Sequence, residues 1–179
     1  NEIWVLDLDN ENINLKCFLK RKNKHLYYID DTPDNFFILS NRKNQRNFAL
    51  YKTNLDETKE IYWKLLVAHK KNELIEDFLC FEEFIILETR KKGAPHLIQI
   101  NRENNKKVYI EFKDEPHTVN LINNTDYKDK YFSFTFSSLK SPSSIYSQNL
   151  YSKKRKKIWR QKVLNYNENK YETKKITII

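Results

Sequence analysis

The sequence predicts an all-β protein, a partial β-propeller of about three to four four-stranded blades belonging to a larger ring. Three observations carry that reading. Short runs rich in Val, Ile, Phe, Tyr and Thr recur every 10–13 residues, divided by Asn, Asp, Lys and Pro turns, while helical spacing is confined to a weak apolar pattern at 64–68. The runs group in fours. Matching third-strand positions Tyr51, Ile100 and Tyr146 stand 49 and 46 residues apart, the period of a propeller blade.

The expected strands, in order, begin with a pair, Ile3–Leu8 and Ile13–Leu19, read as the outer half of a preceding blade. The first group of four is His25–Ile29, Phe36–Leu39, Phe48–Thr53 and Ile61–Val67. The second is Ile75–Phe81, Phe84–Thr89, His96–Ile100 and Lys107–Phe112. The third is Thr118–Ile122, Tyr131–Phe136, Ser144–Leu150 and Lys157–Val163. In each group a polar connection joins the second and third strands: Asn41–Arg46, Arg90–Pro95 and Ser137–Pro142. Blades are therefore expected at about 1–22 (incomplete), 23–70, 71–115 and 116–168. A β-sandwich is the competing architecture, but it does not predict the grouping in fours.

Composition narrows the function classes. A chain of 179 residues is one domain or a piece of a larger one. With 14% aromatic residues it is too rich in Phe and Tyr to stay disordered. No apolar run reaches the roughly 18 residues of a membrane helix, and no secretory signal opens the chain. Methionine is absent even from the first position, which predicts that the natural N-terminus lies upstream. Cys17 and Cys80 have no metal-ligand spacing around them, so two buried reduced thiols in a cytosolic protein are expected, with no metal and no cofactor.

The charge of +9 sits at one end. From Ser141 onward ten bases face only Glu168 and Glu172, leaving 23 bases against 22 acids before it. The run Lys153-Lys154-Arg155-Lys156-Lys157 reads either as a phosphate-binding or targeting patch or as a Lys-rich hairpin turn. The turn is favoured, because the flanking aromatics follow strand alternation. His25, His69, His96 and His117 lack Ser or Cys partners nearby in sequence and read as packing or surface residues. The pairs Asp30-Asp31, Glu76-Asp77 and Glu82-Glu83 read as turn and strand-end acids, or else as a channel lining that attracts basic peptides. The serines at 137, 138, 141, 143 and 144 around Pro142 read as turn chemistry. Trp4, Trp63 and Trp159 are expected to pack against adjacent blades. No catalytic, cofactor or metal residue is assigned.

A resemblance adds to this. The segments Asn41–Thr53, Trp63–His69, Leu74–Phe78 and Leu87–Gly93 resemble, in order and spacing, the propeller of the oligopeptidase B branch of the prolyl oligopeptidase family. Gln99–Arg102, Asp114–Pro116 and Phe136–Pro142 continue the likeness. Tyr171-Glu-Thr173 is similar to the family's Tyr-x-Ser/Thr-Glu handover to the peptidase domain, with Glu172 and Thr173 in inverted order. The resemblance implies about four blades of a seven-bladed propeller, with 169–179 beginning the connection to an α/β-hydrolase domain. It implies a cytoplasmic serine-type endopeptidase cutting short peptides after Lys or Arg, with the propeller gating access. The family's Ser sits on a Gly-x-Ser-x-Gly elbow. Gly93 is the one glycine here, so no elbow lies in these residues and this stretch is expected to be inactive alone. Its implied partners are the peptidase domain, in the same or a split chain, and short basic peptides, with no membrane. Unpaired edges and open blade faces predict aggregation or a partner. Two other functions stay open: a free-standing propeller or sandwich scaffold, and a nucleic-acid-binding β protein using Lys153–Lys157.

Overall fold

The computed structural model describes residues 1–8, 14–112, 116–124, 126–174 and 176. The expected Ile13, Asp114, Glu115, Lys175 and Ile179 lie outside the described residues. Two compact units divide the chain, Asn1–Leu74 and Ile75–Ile179.

In the first unit, β1 (Ile3–Val5) pairs with β2 (Lys16–Leu19) in a two-stranded antiparallel sheet. Four strands follow in chain order: β3 (Tyr27–Thr32), β4 (Asn35–Ser40), β5 (Ala49–Asn54) and β6 (Lys64–Val67). The second unit repeats the meander twice. One sheet is β7 (Glu73–Cys80), β8 (Phe84–Lys91), β9 (Ala94–Asn101) and β10 (Lys107–Ile110). The other is β11 (His117–Ile122), β12 (Tyr131–Ser138), β13 (Ser144–Asn149) and β14 (Arg155–Arg160). Four-stranded meanders in this grouping are propeller blades, as the periodicity predicts. Each observed strand overlaps an expected one. Despite the weak helical spacing at 64–68, Lys64–Val67 is strand, within the expected Ile61–Val67, because pairing with β5 supplies hydrogen bonds that so short a helix lacks.

Turn chemistry sets the registers. Lys92 (φ 50°) and Gly93 (φ 78°) are the two central residues between Lys91 and its partner Ala94, so the only glycine occupies a turn that requires φ > 0 at both positions. Elsewhere the left-handed positions fall at Lys24, Lys43, Asn44, Phe48, Asn105, Lys153 and Asn165, all but Phe48 being Asn or Lys. Asn is the non-glycine residue that tolerates this region best.

Burial explains the apolar patterning. In β8 Ile85, Ile86 and Leu87 are at most 1% exposed, so both faces are covered and the strand reads as a continuous apolar run. In β12 the pattern alternates instead. Phe132, Phe134 and Phe136 are buried, while Ser133, Thr135 and Ser137 on the other face are half-buried. The Phe face meets Leu79, Ile86 and Leu97 of the neighbouring sheet, and Phe81 in its β7–β8 connection, to form the core of the second unit. In the first unit Phe18, Tyr27, Ile38, Ala49, Tyr51 and Trp63 make the core, with Ile3, Val5 and Leu19 of the two-stranded sheet against it. The last strand of each four-stranded sheet is the most exposed, and β14 is exposed at all six positions. It is therefore the outer strand of its blade.

Candidate functional site

Three clusters of chemically capable side chains stand out. In the first unit the fold brings Ser40 of β4 to His25, with Nε2···Oγ at 2.8 Å. Nδ1 of the same ring lies 3.7 Å from Glu60 Oε1. This Ser–His–Glu line has the order of a hydrolytic triad, and sequence separation hid it. Its burial decides against that chemistry. Ser40 is 0% exposed, so no substrate carbonyl reaches its Oγ, which also accepts from the Arg42 amide at 3.1 Å. The group is a structural knot. Burial lowers the His25 pKa, outweighing the opposite pull of Glu60, so the ring is neutral at neutral pH. Burial pushes the Glu60 carboxyl up, but the hydrogen bond and charge of Lys22, with His25 and Arg42, bring it below its ordinary value. Arg42 donates Nη1 to the Glu60 carbonyl at 2.7 Å and lies over the Tyr51 and Trp63 rings.

The second cluster is acidic. Glu76 and Asp77 lie on β7 and Glu88 on β8, and Glu88 is 6% exposed. Glu88 Oε2 accepts from the Leu121 amide at 2.8 Å, tying the first blade of the unit to the second. Burial raises the Glu88 pKa; Glu76 and Asp77 add to the rise, while the Leu121 hydrogen bond opposes it. Arg90 neutralises Glu76 through Nε···Oε1 at 2.8 Å. Asp30 and Asp31 lie on β3, so two of the three expected acidic pairs sit on the first strand of a sheet, away from its outer edge. Glu82 and Glu83 lie in the β7–β8 turn instead, where Glu83 accepts from the Tyr151 hydroxyl at 3.0 Å.

The third is the basic run. The Asn149 carboxamide accepts from the amides of Tyr151 (3.0 Å) and Ser152 (2.8 Å) and closes the β13–β14 turn around Lys153 and Lys154. The expectation of a turn holds for those two only. Arg155, Lys156 and Lys157 are already strand, and β14 starts two residues earlier than expected. Arg155 lies over Phe112 (4.9 Å) and Phe134 (5.1 Å), donating to Gln148 and to the Glu111 carbonyl. Lys157 lies 5.5 Å over Tyr146. Two of the five bases therefore roof an aromatic core, a role composition alone does not reveal.

The remaining candidates are accounted for locally. His117 lies beside Phe112 and Phe136, and His96 meets Tyr109 edge-on. His69 is half-buried. Ser138 Oγ accepts from the Lys140 and Ser141 amides, and Ser144 Oγ donates to the Pro142 carbonyl. Trp63 packs against Phe18 of the neighbouring sheet, as expected of all three tryptophans. Trp4 (55% exposed) and Trp159 (50%) depart from that expectation, because each lies in a sheet-edge strand with a face open to solvent. Cys17 and Cys80 form no disulfide, and Cys17 is half-buried rather than buried as Cys80 is. Among the described residues no group of three His, Cys, Asp or Glu is placed to hold a metal, and no helix is long and apolar enough to cross a membrane.

Meandering four-stranded antiparallel blades in succession define a β-propeller domain. The family described as prolyl oligopeptidase, N-terminal beta-propeller domain, matches residues 1–161, and the chain belongs to that family. Among curated proteins, dipeptidyl aminopeptidase BI of Pseudoxanthomonas mexicana is 23% identical over 150 residues, covering 84% of this chain and 21% of the relative. Among solved structures, oligopeptidase B from Leishmania major superposes with a TM-score of 0.86 at 17% identity, over 96% of this chain and 26% of that one. Oligopeptidase B from Trypanosoma brucei, with covalently bound antipain, gives 0.83 at 18% identity, over 94% and 25%. The chain thus spans about a fifth to a quarter of the relatives it matches.

Proposed function

We propose that this chain is the non-catalytic, access-filtering propeller portion of an oligopeptidase B-like serine-type endopeptidase that cuts short peptides after Lys or Arg in the cytoplasm. The observation that carries the reading is the superposition on oligopeptidase B structures over nearly the whole chain. Residues 1–168 form the propeller part, in blades of about 1–22, 23–70, 71–115 and 116–168, and 169–179 lead toward a peptidase domain, its main partner. With one glycine, these residues hold no Gly-x-Ser-x-Gly elbow, so the nucleophile is supplied from elsewhere. Acids on the first strands β3 and β7 suit a wall that basic peptides pass, since opposite charge raises encounter rates.

Two measurements test the reading. The purified chain should not hydrolyse an Arg-blocked fluorogenic peptide. A chimera carrying this chain in place of the matching segment of Leishmania major oligopeptidase B should cleave that peptide and spare a folded protein. Inhibitor-sensitive turnover by the chain alone, or a folded chimera that digests both substrates equally, would refute it.

A further inference from the structure

We propose that β14 is a docking edge for an extended acidic peptide segment of another protein. Its sheet runs in the order β11-β12-β13-β14, so among the described residues one side of β14 pairs with no strand and offers a row of backbone donors and acceptors. All six of its residues are exposed.

Lysines on an edge usually serve to repel other strands. Two features go beyond that role. Ile158 (57% exposed) and Trp159 (50%) stand open beside the lysines, where a purely protective edge would carry no large apolar group. A register shift in the β13–β14 pairing puts Trp159 opposite Ile145 and Lys157 opposite Tyr146. Lys157 and Arg155 therefore lie over the aromatic core, while Lys156, paired with Ser147, and Trp159 share the opposite face. Lys153, Lys154, Lys156 and Lys162 meet no carboxylate among the described residues, and Arg160 pairs with Glu168 at 2.5 Å. The edge thus combines a hydrogen-bonding row, a cationic rim and an aromatic anchor. An extended segment with acids at alternate positions and apolar residues between them fits all three. Single-stranded nucleic acid fits less well, since it calls for a series of stacking rings rather than one tryptophan.

The test uses the full chain and a labelled peptide of alternating Glu and Val. Binding should be salt-sensitive and should slow hydrogen exchange at the β14 amides. The double variant Lys154→Glu, Lys156→Glu should weaken it by about tenfold or more, since both side chains are solvent-exposed and meet no acid to be released. Unchanged circular dichroism checks the fold of that variant, and Trp159→Ala should weaken binding separately. Absence of binding overturns the proposal. So does binding that leaves β14 exchange unchanged, or a single-stranded oligonucleotide that binds as tightly as the peptide.

Discussion

Tyr27→Phe removes a single oxygen from the joint between the two sheets of the first unit. The ring is 1% exposed and stays in place between Phe18 and Trp63. Its hydroxyl donates to the Leu19 carbonyl at 2.7 Å and accepts from the Ile3 amide at 2.9 Å. Ile3 and Leu19 are register partners, and the register shifts immediately after them, so the hydroxyl sits where the β1–β2 ladder is irregular. The variant loses two hydrogen bonds, about 1 kcal/mol each, and leaves a part-buried amide unpaired at up to about another 1 kcal/mol. The expected loss is about 2–3 kcal/mol, or a fall in Tm of roughly 4–12 °C for a chain this long. A two-stranded sheet is marginal by itself, so β1 and β2 should loosen first. Guanidinium unfolding measures the total, and hydrogen exchange at Ile3 reports the local loss. A variant within about 0.5 kcal/mol of the parent, with Ile3 protection unchanged, would refute the reasoning, since surface substitutions already scatter that much.

Two further outcomes follow from the second unit. Phe134→Ala should cost about 3–5 kcal/mol, because the ring is 0% exposed and carries Phe112, Tyr146 and Arg155 around it; chemical denaturation checks this. Glu88→Gln should leave the chain at least as stable at neutral pH and flatten its pH profile. The Glu88 carboxyl has a native pKa above its unfolded value of 4.5, so the native state holds the extra proton just above that value and stability falls as pH rises through the window. The Gln oxygen can still accept from the Leu121 amide, and denaturation curves from acid to neutral pH would show whether the slope disappears.

Strand existence was legible because period-2 alternation and turn residues are local signals. Tyr131–Phe136 announces itself by alternating Phe with Ser and Thr, and Phe84–Leu87 by an unbroken apolar run. Strand ends were less legible, as at β14, because the Asn149 turn is set by side-chain hydrogen bonds that make Arg155 strand despite its charge. The Ser40–His25–Glu60 line was invisible, since its members are 15 and 35 residues apart and no local pattern links them.

By itself, then, the sequence determined the all-β class, the grouping of strands in fours and the lack of a Gly-x-Ser-x-Gly elbow within these 179 residues, all of which depend on residue type and spacing along the chain. Only the tertiary structure decided what each polar group does. It sealed Ser40 from solvent, placed Arg155 and Lys157 over aromatic rings, and left Trp159 exposed where Trp63 is buried. The physical reason is that burial, desolvation and pairing are set by neighbours brought from distant parts of the chain, and one-dimensional periodicity carries no record of which neighbours those are.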